Sequence, residues 1–189
     1  MHYCCFVFTK EFPTDDVLYR ILEPFSEQKF YENEEENKEY PEFMWDWYKV
    51  GGRYSGKLKL EIRRNDEKYR WEFYENSPRN NRLFRSQLID TIDKFRKTSR
   101  DGWMFSEEDV FSELGFADGY IRVDACPVSD ILNREELNCY CFVDKNGNAF
   151  SNEWWNGEKY EQREHFTVNF EKAMKDSEDC YLCVVDLHD

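Results

Sequence analysis

Two apolar runs, one near each end of the chain, constrain the fold more than anything between them. Residues 2–9 (HYCCFVFT) and 180–187 (CYLCVVDL) are short, apolar and bounded by turn-forming residues, which is the pattern of buried strands. Between them the signal alternates. Thr14 followed by Asp15 and Asp16 predicts an N-capped helix that runs to about residue 22 and stops at Pro24. Residues 57–63 alternate Leu58, Leu60 and Ile62 with polar side chains. Residues 68–74 alternate Tyr69, Trp71 and Phe73, so the two read as a hairpin. Helical spacing appears over 82–95, 107–114 and 167–175, and further strands are expected over 120–126, 138–143 and from Ala149. Strands at both ends with helices between them imply an α+β protein. The expected form is a single domain over residues 1–189, with a mixed, mainly antiparallel sheet, helices packed on it, and the terminal strands paired or close together.

Charge divides the chain. Its formal net charge is −14. Residues 61–100 carry an excess of basic side chains, making 57–100 a basic hairpin-plus-helix region. Residues 26–42 read as an exposed acidic loop or frayed helix, and the part after residue 100 is strongly acidic. This balance argues against general nucleic-acid binding and permits an acidic surface that docks where nucleic acid normally docks. Glu34, Glu35, Glu36, Glu107, Glu108 and Asp109 are the candidate acidic contacts. No apolar run approaches the roughly 20 residues of a membrane span. The opening residues lead straight into a strand pattern without a secretory leader, so the expectation is no membrane and a cytoplasmic setting.

The densest signal is residues 45–56, WDWYKVGGRYSG. Its three glycines permit positive φ and close approach of a partner group. Trp45, Trp47, Tyr48 and Tyr54 offer flat π faces beside Gly51, Gly52 and Arg53, the parts of a pocket that could stack a base and hold a phosphate. The same residues also suit a structural corner, with Asp46 capping backbone N–H groups and Arg53 paired to Asp46. No Lys-Ser/Thr follows the glycines, so this is not a complete phosphate loop.

Seven cysteines, an odd number set in apolar runs, read as buried reduced thiols. Cys180 and Cys183 have the CxxC spacing of a metal site, but on a strand they point to opposite faces. Cys139 and Cys141 are expected to share a face. If the terminal strands pair, His2, Asp186 and His188 converge, and they are the candidate metal or acid–base cluster; otherwise no metal or cofactor is expected. His165 has no evident partner. Neither G-x-S-x-G nor H-E-x-x-H occurs, and the pairs Glu107-Glu108 and Glu135-Glu136 suit first turns of helices better than catalysis. The residues therefore lean away from an enzyme.

The module resembles the W-D-W-Y-x-x-G-G-R-[WY]-x-G signature of an uncharacterised protein family of bacteriophages and mobile elements. The resemblance extends to Glu23-Pro24-Phe25, to Asp124-Ala125-Cys126-Pro127-Val128, to Phe142–Gly147 and to Val184-Val185-Asp186-Leu187-His188. Tyr54 stands where the family often has tryptophan. The resemblance implies a phage accessory protein acting in a host bacterial cell by binding. Expected partners are a host defence protein or ribonucleoprotein complex, inhibited in the anti-CRISPR manner through acidic surface. The alternatives are a sequestered nucleotide signal held at the module and a metal-dependent hydrolase using Asp186 and His188.

Overall fold

The two terminal runs do pair. In the computed structural model, which describes residues 1–32, 41–61, 104–105, 120–155 and 158–189, strand β1 (His2–Thr9) lies antiparallel to β10 (Tyr181–His188) from His2↔His188 to Thr9↔Tyr181. The fold is α+β, and its mixed, mainly antiparallel sheet grows outward from this pair. The expected hairpin strand over 68–74, the helices over 82–95 and 107–114, and Glu34, Glu35, Glu36, Glu107, Glu108 and Asp109 lie outside the described residues.

The other strands are β2 (Trp47–Val50), β3 (Leu58–Glu61), β4 (Met104–Phe105), β5 (Tyr120–Pro127), β6 (Cys141–Val143) and β7 (Ala149–Ser151). The sheet order is β3-β5-β10-β1-β6-β7, with β4 also on β5 and β2 also on β10. Only β1 and β6 run parallel among these pairs. A separate ribbon joins β8 (Glu153–Trp155) to β9 (Tyr160–Gln162).

Alternation along β1 and β10 sorts their side chains onto two faces, as a two-residue strand period requires. Phe6, Phe8, Leu182 and Val184 face one way, where helix α3 (Phe166–Asp176) covers them with Phe166, Phe170, Ala173 and Met174. Cys5, Val7, Cys183, Val185 and Leu187 face the other way, against Leu18 and Leu22 of helix α1 (Asp15–Leu22) and against Phe43 and Trp45. Thr14 caps α1 as expected, its side chain accepting from the Val17 N–H. Each fully buried Phe or Leu contributes about 1.5–3 kcal/mol, so Phe6, Phe8, Phe142 and Leu182, all essentially inaccessible, anchor one face of the sheet.

Several expectations change in detail. Of the two forms expected for the acidic segment, its first part takes the helical one, as α2 (Glu27–Glu32). The strand expected over 138–143 shortens to Cys141–Val143, and this separates two thiols expected to share a face. Cys139 precedes the strand and packs on the α3 side, whereas Cys141 lies in the α1-side cluster.

Candidate functional site

The edge of β10 opposite β1 is shared by two strands. Tyr181, Leu182 and Cys183 pair with β5, and Val185 to His188 pair with β2. Between them, Val184 offers its carbonyl to the N–H of Gly51, at 2.8 Å. The module therefore turns at the gap between β2 and β5, and its two glycines fill that gap.

Two buried carboxylates meet them there. A Cβ on Gly51 would lie 2.3 Å from Asp124 Oδ2, and one on Gly52 would lie 2.3 Å from the Asp186 Cβ. Both glycines have positive φ, so the close approach that the sequence calls for is to the chain's own side chains. Asp124 accepts from Ser55 Oγ at 2.9 Å and from the Gly56 N–H at 2.8 Å. Asp186 accepts from the Arg53 N–H and pairs with His2 Nδ1, each at 2.9 Å. These bonds satisfy carboxylates that burial would otherwise make costly. Gly51, Gly52, Asp124 and Asp186 thus form a structural joint in which three segments carrying the resemblance converge.

The aromatic side chains separate across the sheet. Trp45 is 5% exposed, and its Nε1 donates to the Leu22 carbonyl at 2.8 Å. Tyr48 packs edge-on against Trp45 and donates its hydroxyl to the Asp15 carbonyl. Tyr54 packs on the α3 side and donates to the His2 carbonyl at 3.0 Å. Arg53 is exposed, and its guanidinium pairs with no carboxylate among the described residues. Asp46, expected to pair with Arg53, instead holds His188 Nδ1 at 2.9 Å and accepts from the Trp47 N–H at 2.8 Å. Asp46 lies across from the last residues of β10, where the His188 ring faces it, whereas Arg53 lies beyond the gap.

Trp47 is different. It is 44% exposed, yet it lies flat on His188, with ring centroids 4.9 Å apart at 12°. His2 meets both rings edge-on, 5.5 Å from Trp47 and 4.9 Å from His188. Each imidazole has its own carboxylate: Asp186 for His2, Asp46 for His188. Partial burial works against ionisation of Asp46, but the His188 ring and the Trp47 N–H outweigh it and hold the carboxyl below its usual range. Strand pairing does bring His2, Asp186 and His188 together. Their arrangement is two separate His–Asp pairs, and among the described residues no group of three potential ligands surrounds one point.

The cysteines offer no second site. All seven are free. Cys180 contacts Asp179 beside it while Cys183 is buried on the α1 side, so the CxxC pair diverges. Burial pushes the Cys4 thiol up to about 12 and raises Cys5, Cys139 and Cys183 well above the ordinary range. His165 sits at the start of α3 without a side-chain cap bond.

Among the features missed in the sequence, two carry exposed aromatic residues. One is β2 itself, hidden because a four-residue strand inside a glycine- and aromatic-rich stretch shows too little alternation. The other is the β8–β9 ribbon with its exposed Trp154 and Tyr160, which Asn156-Gly157 between aromatic residues could have signalled. Compared with known proteins, the chain matches no family model, no curated protein and no solved structure.

Proposed function

We propose that this chain is a non-catalytic binding protein that meets its partner through the face around Trp47. The observation that carries this reading is the state of that side chain. A large indole with nearly half its surface exposed is held in one position by a ring stack and by the fixed backbone of β2. Preorganised aromatics of this kind serve as anchors in protein interfaces, because little side-chain entropy remains to be lost on association.

A His–Asp pair can also orient an imidazole for proton transfer. Here both imidazoles are packed against each other and against Trp47, an arrangement suited to fixing rings on a surface. The glycine N–H of residue 51 and the Arg53 N–H are committed to Val184 and Asp186, which weakens a phosphate cradle at the module. In the phage-accessory setting implied by the resemblance, a host defence nuclease complex is the first partner to test, and inhibition by occupancy is the expected action.

The experiment compares the wild-type chain with Trp47→Ala for co-elution with such a complex at low ionic strength. The expected result is stable association by the wild type and at least about tenfold weaker association by the variant. Equal association by both would move the interface elsewhere, and association by neither would remove the host-defence reading.

A further inference from the structure

The two His–Asp pairs set up a chemistry that does not depend on the binding reading above. His2 and His188 are direct partners in the β1–β10 register, so their rings leave the same face of the sheet side by side. A carboxylate only accepts hydrogen bonds. The 2.9 Å bonds of His2 Nδ1 to Asp186 and of His188 Nδ1 to Asp46 therefore put a proton on each Nδ1. In a neutral ring the lone pair then belongs to Nε2. Neither Nε2 has a hydrogen-bond partner among the described residues. Both side chains also reach solvent, His2 at 17% and His188 at 32% of their surface.

An imidazole whose Nδ1–H is held by a carboxylate is in the state that metal-ligating histidines adopt, because that bond fixes the ring and makes Nε2 more basic. Edge-to-face packing of two rings needs no carboxylate on either of them. Here each ring has one, and the spacing suits a shared ion. The centroids are 4.9 Å apart, with the planes at 77°. Two imidazoles on one tetrahedral ion, each nitrogen about 2.0–2.1 Å from it, have centroids roughly 5 Å apart. Trp47 walls one side by stacking on His188. We propose that His2 and His188 together bind one divalent transition-metal ion of the zinc class through Nε2. Asp186 and Asp46 are the positioning carboxylates, and their two negative charges offset those of the ion. Among the described residues no third side chain completes the set, so water fills the remaining positions. Imidazole nitrogens suit such an ion better than magnesium or calcium, which favour oxygen ligands.

The test adds zinc chloride, and separately magnesium chloride, to the full chain with nitrogen-labelled histidines, and follows the imidazole signals by NMR. The chain has three histidines, so exposed His165 at the start of α3 is an internal control. Zinc should shift the Nε2 signals of His2 and His188 together, saturate at a single ion per chain and leave His165 unmoved. Magnesium should shift none of them. By calorimetry, His188→Ala should weaken zinc binding at least about tenfold. Asp46→Asn, which keeps both ligands and removes a positioning charge, should weaken it about tenfold. His165→Ala should leave it unchanged. His2→Ala would also take a partner from the buried Asp186, so the wild-type signals decide the part played by His2. A zinc shift at one imidazole alone, or at neither, would overturn the proposal. Zinc affinity unchanged in His188→Ala would place the ion on thiols or carboxylates elsewhere and overturn it too, as would equal shifts from magnesium.

Discussion

Gly52 lies so close to Asp186 that a methyl group at its Cα would sit 2.3 Å from the aspartate Cβ. The contact joins the module to the central strand, with the Arg53 N–H and His2 bonded to the same carboxylate. Gly52→Ala should therefore act on the whole fold. A left-handed backbone costs a residue with a side chain about 1–2 kcal/mol, and the overlap adds to that. Urea unfolding should show a loss above about 2 kcal/mol. Gly147→Ala, where a Cβ meets nothing within 4 Å despite positive φ, should show the backbone cost alone. Equal losses at the two positions would refute the tight packing on Asp186.

The two tryptophans of the module should behave oppositely. Trp45 is buried and hydrogen-bonded to Leu22, so Trp45→Ala should cost about 3–5 kcal/mol. Trp47 is exposed, stacked on His188 and met edge-on by His2, so Trp47→Ala should cost about 1 kcal/mol. Denaturant curves on the pair of variants measure both. A large loss at Trp47 would mean that its side chain serves the core.

The thiols predict an alkaline limit to stability. Burial raises the Cys4 thiol to about 12 in the folded chain, while an unfolded cysteine titrates near about 8.5. The folded pKa is the higher one, so the stabilisation is complete below the unfolded value and is lost as pH rises from there through the folded value. Stability should fall above about pH 8.5, less steeply in Cys4→Ala. In the native state the buried thiols should resist a thiol reagent at neutral pH, and all seven should react after unfolding. Rapid native labelling of Cys4 or Cys5 would contradict their burial.

The Asp46–His188 pair predicts an effect of the opposite sign. The folded carboxyl titrates below its ordinary value. Its stabilisation is present above the unfolded carboxylate pKa, about 3.9, and is lost as pH falls through the folded value. Carbon-detected NMR should place the Asp46 titration higher in His188→Ala than in the wild type. An unchanged titration would mean that His188 does not hold the carboxylate.

Legibility in the sequence followed the range of the interactions. β1, α1, β3, β5, α3 and β10 could be found because apolar periodicity and the Thr14 cap act within a few residues. The module was visible as a corner or a site, but its residues alone could not choose. Strand pairing decided: β10 carries Asp186 to Gly52 and His188 to Trp47, while Trp45 turns inward to Leu22. Cys139 and Cys141 appeared to share a face only because the strand was expected to begin earlier than Cys141.

By itself, the sequence determined that this chain builds an α+β sheet around two apolar terminal strands, that its thiols are core residues, and that residues 45–56 are special. These conclusions rest on local preference and on the two-residue period of strands. The tertiary structure alone decided that the glycines receive Asp124 and Asp186, that β2 and β5 share one edge of β10, and that Trp47 is the exposed aromatic of the 45–56 module. Each depends on groups more than 50 residues apart meeting within a few ångströms, and that proximity is set by how the strands pair and by the desolvation of two carboxylates, not by any pattern along the chain.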